Sequence, residues 1–442
     1  MNNWALEAPY LALSAEDRAL ILKRLGLENF SGLQKSIPAE LQNEFQPEVD
    51  GFSEEEVLKQ FQALSQKNIS TDDLICFLGG GVYDHYVPAV VENMLGRDEF
   101  LTSYTPYQPE MNQGTLQLMF EFQSMISELT ALPLTNASMY DGATAFAEAV
   151  MMAVNQTRRQ LVYYSPNIYE EWIEVLHTYG DPLGWELVAL PTENSRALFP
   201  ENWGNKPPAA VCMAYPNRFG CADEVNGWEE KKPDNKTVGI TAINPLSLGL
   251  LTPPGELGWD VAVGEGQPLG LPLNGGGPQL GIFSARKKFM RKMPGRLVGE
   301  TTDRRGKRCF VLTLQTREQH IRRQRATSNI CTNHALLALG AAVSLAHSGR
   351  SGIRQKAFKN YENGQLLKEE FQKRGFDIAG EPIFNELAVK IEEKPEDFNK
   401  RLEQAGIMGG YFSGDYYICA ATERRSEKEI ARFADEVDKI VK

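Results

Sequence analysis

The chain has 442 residues, 42% hydrophobic and 24% charged, with a net charge of −12. That is ordinary globular composition with material for more than one core. The negative balance argues against nonspecific binding to nucleic acid, and no run approaches the ~18 apolar residues of a membrane helix. MNNWALEAPY has no basic, apolar leader, so a cytoplasmic protein is expected. The cysteines (Cys76, Cys212, Cys221, Cys309, Cys331, Cys419) are scattered, without a Cys-x-x-Cys pair. The histidines are equally dispersed, so reduced thiols are expected and a metal site is not.

Ser14 opens SAEDRALILKRLG. A serine cap, early acids, a leucine face and Gly26 as terminator predict a short helix. Ser53 and Glu56 read as a capping box ahead of Val57, Leu58, Phe61 and Leu64. Residues 1–70 are therefore expected to form an N-terminal helical arm, wrapped on a partner or packed on its own domain.

From about 71 the texture changes. FLGGGVYDHYVP (77–88) and TSYTPYQPEMNQG (102–114) read as loops. Leu116, Met119, Phe122, Met125, Ile126 and Leu129 mark a long amphipathic helix, and a second helix begins near Asp141. Short apolar runs follow at 161–164, 185–190, 209–214, 238–243 and 260–264, with a helix at 168–179. This alternation predicts an α/β fold with a mostly parallel, doubly wound sheet. Gly275-Gly276-Gly277-Pro278 reads as a tight turn between DVAVG and LGIFSA. Helices are expected at 317–325 and 329–348, closing a large domain over 71–350. A small α+β domain (351–442) should hold helix 353–373, strands near 376–379, 385–391 and 416–421, helix 395–405, and a last helix capped by Ser426 and Glu429.

Three stretches carry candidate chemistry. Asp141-Gly142-Ala143-Thr144 starts a helix, whose free N–H groups could cradle a phosphate. A carboxylate at that position would instead cap its own helix and repel the anion. The 102–114 loop gathers Tyr104, Tyr107, Gln108, Glu110, Asn112 and Gln113, stiffened by Pro106 and Pro109. Such a set could orient a small amino acid and relay protons, or it is simply a polar surface loop. Arg286 to Arg308 holds ten Lys or Arg against only Glu300 and Asp303, a field able to steer an acidic partner. His320, among Arg317, Arg322, Arg323 and Arg325, reads as part of a solvated or interface helix.

The 275–278 turn is similar to one that follows the cofactor-binding lysine in a large class of pyridoxal-phosphate (PLP) enzymes. Here the residues before it are Gly270-Leu271-Pro272-Leu273-Asn274, without an amine. This suggests half of a PLP enzyme, with the cofactor on the other half. YDHYVP, YTPYQPE, QGTLQ, NASMYDGAT, VGEGQPLG, KMPGRLVGET, TREQHIRR and ATSNICTN together span most of 77–333. In this order they resemble the alpha subunit of two-subunit glycine decarboxylase, the P-protein of the glycine cleavage system. The first 70 and last 100 residues match by pattern more than by motif, and residues 2–7 look like an extension before the family's usual start at Tyr10.

That resemblance implies the fold-type-I PLP-dependent transferase fold and an α2β2 assembly whose beta subunit holds PLP covalently. It implies that glycine loses CO2, with the PLP ring as electron sink, and that the aminomethyl group passes to the lipoyl arm of H-protein, generally an acidic carrier. Tyr104, Tyr107, Gln108, Glu110 and Gln113 would be contributed across the interface. Gly299, Thr301 and Thr302 would approach the partner's cofactor phosphate. An autonomous PLP enzyme using Lys287 or Lys288, and a non-catalytic structural subunit, are the competing readings.

Overall fold

The computed structural model describes residues 13–42, 51–392 and 395–442; the expected extension at 2–7 and start at Tyr10 lie outside them. The chain divides into two compact units, one up to Asn68 and one from Ile69 to Lys442. In the first, α1 (Ala15–Arg24) and α2 (Glu54–Ser65) both open with capping boxes. Ser14 and Asp17 exchange side-chain and backbone bonds of 3.0 and 3.1 Å, and Ser53 and Glu56 do likewise. Neither helix buries a side chain, and Leu20, Leu58 and Phe61 are exposed.

The second unit contains, in chain order, α3 (Gln113–Thr130), β1 (Leu134–Thr135), α4 (Gly142–Thr157), β2 (Leu161–Tyr164), α5 (Glu170–Gly180), β3 (Glu186–Ala189), β4 (Ala210–Tyr215), β5 (Val238–Ile243), β6 (Val261–Glu265), β7 (Gly281–Ala285), β8 (Leu297–Thr302), β9 (Arg308–Thr313), α6 (Ala335–Lys373), β10 (Glu386–Lys390), α7 (Phe398–Gln404), β11 (Tyr411–Ser413), β12 (Tyr416–Ala420) and α8 (Glu427–Val441). Seven strands form the main sheet in the order β1-β7-β6-β5-β4-β2-β3. From β3 to β6 every neighbour is parallel, and β7 runs antiparallel to both its neighbours.

The central strands are buried along their whole length and mostly apolar because both faces are covered. Cys212 and Ala214 face the layer containing Phe146, Val150 and Leu176. Val211 and Met213 face the opposite layer, where the Trp228 and Trp259 rings stack at 4.9 Å. A smaller antiparallel sheet, β10-β12-β11, builds a second core with α6 and α8. There Phe77 stacks on Phe433 at 4.1 Å. Among the described residues no helix is long and apolar enough to cross a membrane.

Four local expectations are revised. The helices expected at 329–348 and 353–373 meet end to end in α6, broken only at Gly349 (φ 57°, ψ −177°). The first starts late because 329–334 stays irregular around Asn333, whose amide bonds the Ala137 carbonyl. The 317–325 helix is reduced to single turns, since Leu314 and Arg323 take left-handed φ values of 55° and 52°. The glycine turn is one part of a longer 266–280 connection, with Gly275, Gly276 and Gly277 at φ 60°, 105° and 154°. Near 376–379 there is a single bridge, Ile378 to Val389.

One buried carboxylate ties the smaller sheet to the 80–83 loop and to the start of α5. Glu386, at the start of β10, accepts the Gly80 N–H at 2.6 Å and the hydroxyls of Tyr83 and Tyr169 at 3.0 and 2.8 Å. Burial raises its carboxyl to about 7, more than those bonds can offset. A folded-state value above the unfolded one means stability is full below about pH 4.5 and is lost as pH rises through about 7. Glu386→Gln should therefore flatten part of the fall in melting temperature across that window. Glu148 and Glu265, also raised to about 7 by burial, leave a residual slope. Parallel melting curves for wild type and variant would refute this.

Candidate active site

The 104–113 loop enters as an open turn and leaves as the first residue of α3. Pro106 is buried and anchors it, while Tyr104, Tyr107, Gln108 and Glu110 are exposed. Gln113 is the exception among the expected site residues. Its amide nitrogen donates to the carbonyls of Pro109 (2.7 Å) and Phe310 (2.9 Å), and its oxygen accepts the Phe310 N–H (2.9 Å). This side chain is a bolt between loop and β9, with no polar group left for a ligand.

The expected phosphate-approaching residues lie on the same body. β8 and β9 form a two-stranded hairpin in which Glu300 pairs with Phe310. Gly299 sits opposite Val311, one step from the bolt, while Thr301 and Thr302 lie at the exposed outer end. Loop and hairpin thus bring Tyr104, Tyr107, Gln108 and Glu110 onto one fixed support with Gly299.

Sequence reasoning missed two buried arginines beneath this support. Arg317 donates to the carbonyls of Met293, Gly295 and Leu314, fixing the turn before β8. Arg296, next in that turn, lies under the Tyr107 ring, 5.9 Å from its centroid. Both sit in basic runs whose pattern reads as solvated, so only a contrast between buried and exposed cations could have marked them. His320 is half-exposed, with Nδ1 3.7 Å from Glu318.

The chain's own sheet ends in a second candidate. At the C-terminal ends of β4, β5 and β6, where open α/β sheets hold ligands, Tyr169, Trp172, Asn217, Asn244 and Glu265 line a cavity of ≈ 20 Å³, room for about one water. The anion seat beside it is filled from within. Asp141 caps α4 through the Thr144 N–H at 2.7 Å. Glu265 accepts the Gly142 N–H at 3.1 Å, the Gln267 N–H at 3.1 Å and the Leu280 N–H at 2.8 Å. Gly142 must be glycine, because a Cβ there would lie 2.2 Å from the Trp172 ring.

The model of the glycine cleavage system P-protein family matches residues 8–437. A probable glycine dehydrogenase (decarboxylating) subunit 1 from Geobacillus thermodenitrificans is 43% identical, over 97% of this chain and 98% of its own. One of the same description from Staphylococcus carnosus is 41% identical, over 98% and 99%. Among solved structures, glycine decarboxylase (P-protein) of the glycine cleavage system in inhibitor-bound form is 38% identical, with a TM-score of 0.91 over 98% of this chain and 99% of that one. An alanine–glyoxylate aminotransferase from Nostoc, at 16% identity and a TM-score of 0.59 over 85% and 97%, shares the fold alone.

The fold is thus that of fold-type-I PLP-dependent enzymes. The strand-end cavity of this chain does not fit the cofactor that the fold implies. Two carboxylates occupy the anion seat, the Trp172 ring lies against Gly142 beside it, and no lysine is among the residues that line the cavity. With a match that runs nearly end to end in sequence and structure, the chain belongs to the glycine cleavage system P-protein family.

Proposed function

We propose that this chain is subunit 1 of a glycine dehydrogenase (decarboxylating), and that it completes an active site whose PLP is held by a beta subunit in an α2β2 assembly. The observation that carries this division of labour is the anion seat filled by Glu265 and Asp141, set against a rigid, outward-facing tyrosine loop. Residues 1–70 serve as the arm, 71–350 as the large domain and 351–442 as the small one. The assembly works in the cytoplasm, where free cysteines persist.

When bound on the partner, PLP supplies the electron sink for loss of CO2. This chain supplies the surroundings. Tyr107 and Glu110, both exposed on the pinned loop, hold or move a proton at the glycine amine or carboxylate. Tyr104 and Gln108 wall off water. Gly299, Thr301 and Thr302 approach the cofactor phosphate from the hairpin. An autonomous enzyme using Lys288 is disfavoured, because its ammonium pairs with Asp260 at 2.6 Å, at the wrong end of β6.

The purified chain alone should form no stable imine with PLP; borohydride trapping and peptide mapping check this, and a stoichiometric pyridoxyl-lysine would sink the proposal. In the reconstituted complex, Tyr107→Phe or Glu110→Gln should lower glycine decarboxylation by roughly 10²–10⁴-fold with assembly intact. Near-normal rates for both would return the loop to a polar surface.

The lipoylated H-protein is the proposed acceptor, and the basic tract its steering field. Part of that tract is already spent: Lys288 and Arg286 lie 2.6 and 3.7 Å from Asp260, Arg308 pairs with Glu300 at 2.7 Å, and Arg296 is buried. Lys287, Arg291, Arg304 and Arg305 are exposed. KM for lipoylated H-protein should rise with salt, since screening shortens to about 8 Å at physiological ionic strength. Charge reversal at those four positions should flatten the dependence and leave KM for glycine unchanged. An identical salt response in variant and wild type would place docking elsewhere.

A further inference from the structure

Arg296 is gripped by groups from several separate stretches of chain, and its side chain is only 6% exposed. One terminal nitrogen donates to Asn333 Oδ1 at 3.1 Å and reaches Thr105 Oγ1 at 3.4 Å. The other donates to the Cys331 carbonyl at 3.0 Å. Nε lies 4.0 Å from the buried carboxylate of Glu318. The Tyr107 ring covers the guanidinium from outside, while its own far side is open, at 65% exposure.

Neutralising a buried charge does not require this arrangement. A carboxylate at direct hydrogen-bond distance would do that better, yet among the described residues the one that approaches, Glu318, stands at 4.0 Å. The planar fork is spent instead on oxygens of the 105 and 331–333 segments, a task that lysine, a point charge on a flexible stem, does poorly. The base of the arginine is immobilised first. Arg317 holds the preceding turn through the Gly295 carbonyl at 2.9 Å, and the Arg296 carbonyl accepts the Ala137 N–H at 2.8 Å. Asn333, the arginine's best acceptor, is itself fixed to the Ala137 carbonyl at 3.0 Å.

We infer that Arg296 is a positioning residue: it sets the ring of Tyr107 and the 331–333 backbone as one rigid surface presented to the partner. The inference deepens the reading of the 104–113 loop given above and rests on it. Tyr107 needs such a hold, because an exposed tyrosine that must meet a group on another chain pays for orientation at each encounter unless it is preorganised.

The test combines amide hydrogen exchange on the full chain with glycine turnover by the reconstituted complex, for Arg296→Lys, Tyr107→Leu and the double variant. Arg296→Lys should speed exchange at 103–111 and 331–334 by roughly three- to tenfold, leaving α4 and the main sheet unchanged. In turnover the two substitutions should be non-additive: with Leu at 107, Arg296→Lys should cost no more than about twofold further. Wild-type exchange at those segments in Arg296→Lys, or full additivity in turnover, would overturn the inference. Faster local exchange with Tyr107→Leu at full turnover would uphold positioning and remove the catalytic reading of the loop instead. Should Arg296→Lys fail to fold, Tyr107→Leu tests the same contact from its exposed side. Unchanged exchange at 103–107 would then overturn it.

Discussion

A carboxylate sits where a fold of this kind keeps a phosphate. Glu265, the last residue of β6, takes the first free N–H of α4, and Asp141 takes another. Helix N-termini attract anions, and an internal carboxylate answers that demand at every moment, at no cost in concentration. Burial raises the Glu265 carboxyl to about 7, so the plug is held in place by geometry as much as by charge. Around it the remainder of the strand-end site has closed, with the indole of Trp172 lying against Gly142. A doubly wound sheet that gives up its own ligand place is free to serve as a scaffold, with the proposed chemistry on its outer surface.

On that surface the same problem is solved with the opposite sign. Loops carry function only when something rigid positions them. Here the rigid parts are buried cations and one amide. Arg317 ties down the turn before β8, Arg296 rises from that turn beneath Tyr107, and Gln113 locks the far end of the loop to β9. The loop is thereby fixed at both ends with its tyrosines left outside. Arg317 and Gln113 bond backbone groups and Arg296 bonds the Cys331 carbonyl, so the arrangement depends on the main-chain path of 293–297, 310 and 331.

Much of the fold could be read from periodicity. Continuous apolar runs gave β4, β5 and β6, since both their faces are covered, and serine or aspartate caps marked the starts of α1, α2, α4 and α8. What failed were features decided by contacts distant in sequence. The 329–334 stretch reads as helical, but Asn333 bonds Ala137 across the core and the stretch stays irregular. The β8–β9 hairpin was hidden inside a run of positive charge. At the proposed site, residue types singled out the 104–113 loop. They could not separate Gln113, whose amide is consumed internally, from Gln108, which is exposed. Nor could they single out Arg296, whose neighbours Thr105, Cys331 and Asn333 converge only in three dimensions.

The two helices before Asn68 have a bearing on how such a chain is supplied. Helices of 10 and 12 residues are marginal in water by themselves, and these bury none of their side chains. Leu20, Leu58 and Phe61 stay in solvent until something covers them. On the proposal that this arm wraps the partner subunit, a copy made without that partner would offer chaperones and proteases a ready handle that assembly removes. Surplus subunits would be cleared, and matched synthesis of the two chains, rather than the affinity of either for a ligand, would set how much complete enzyme a cell retains.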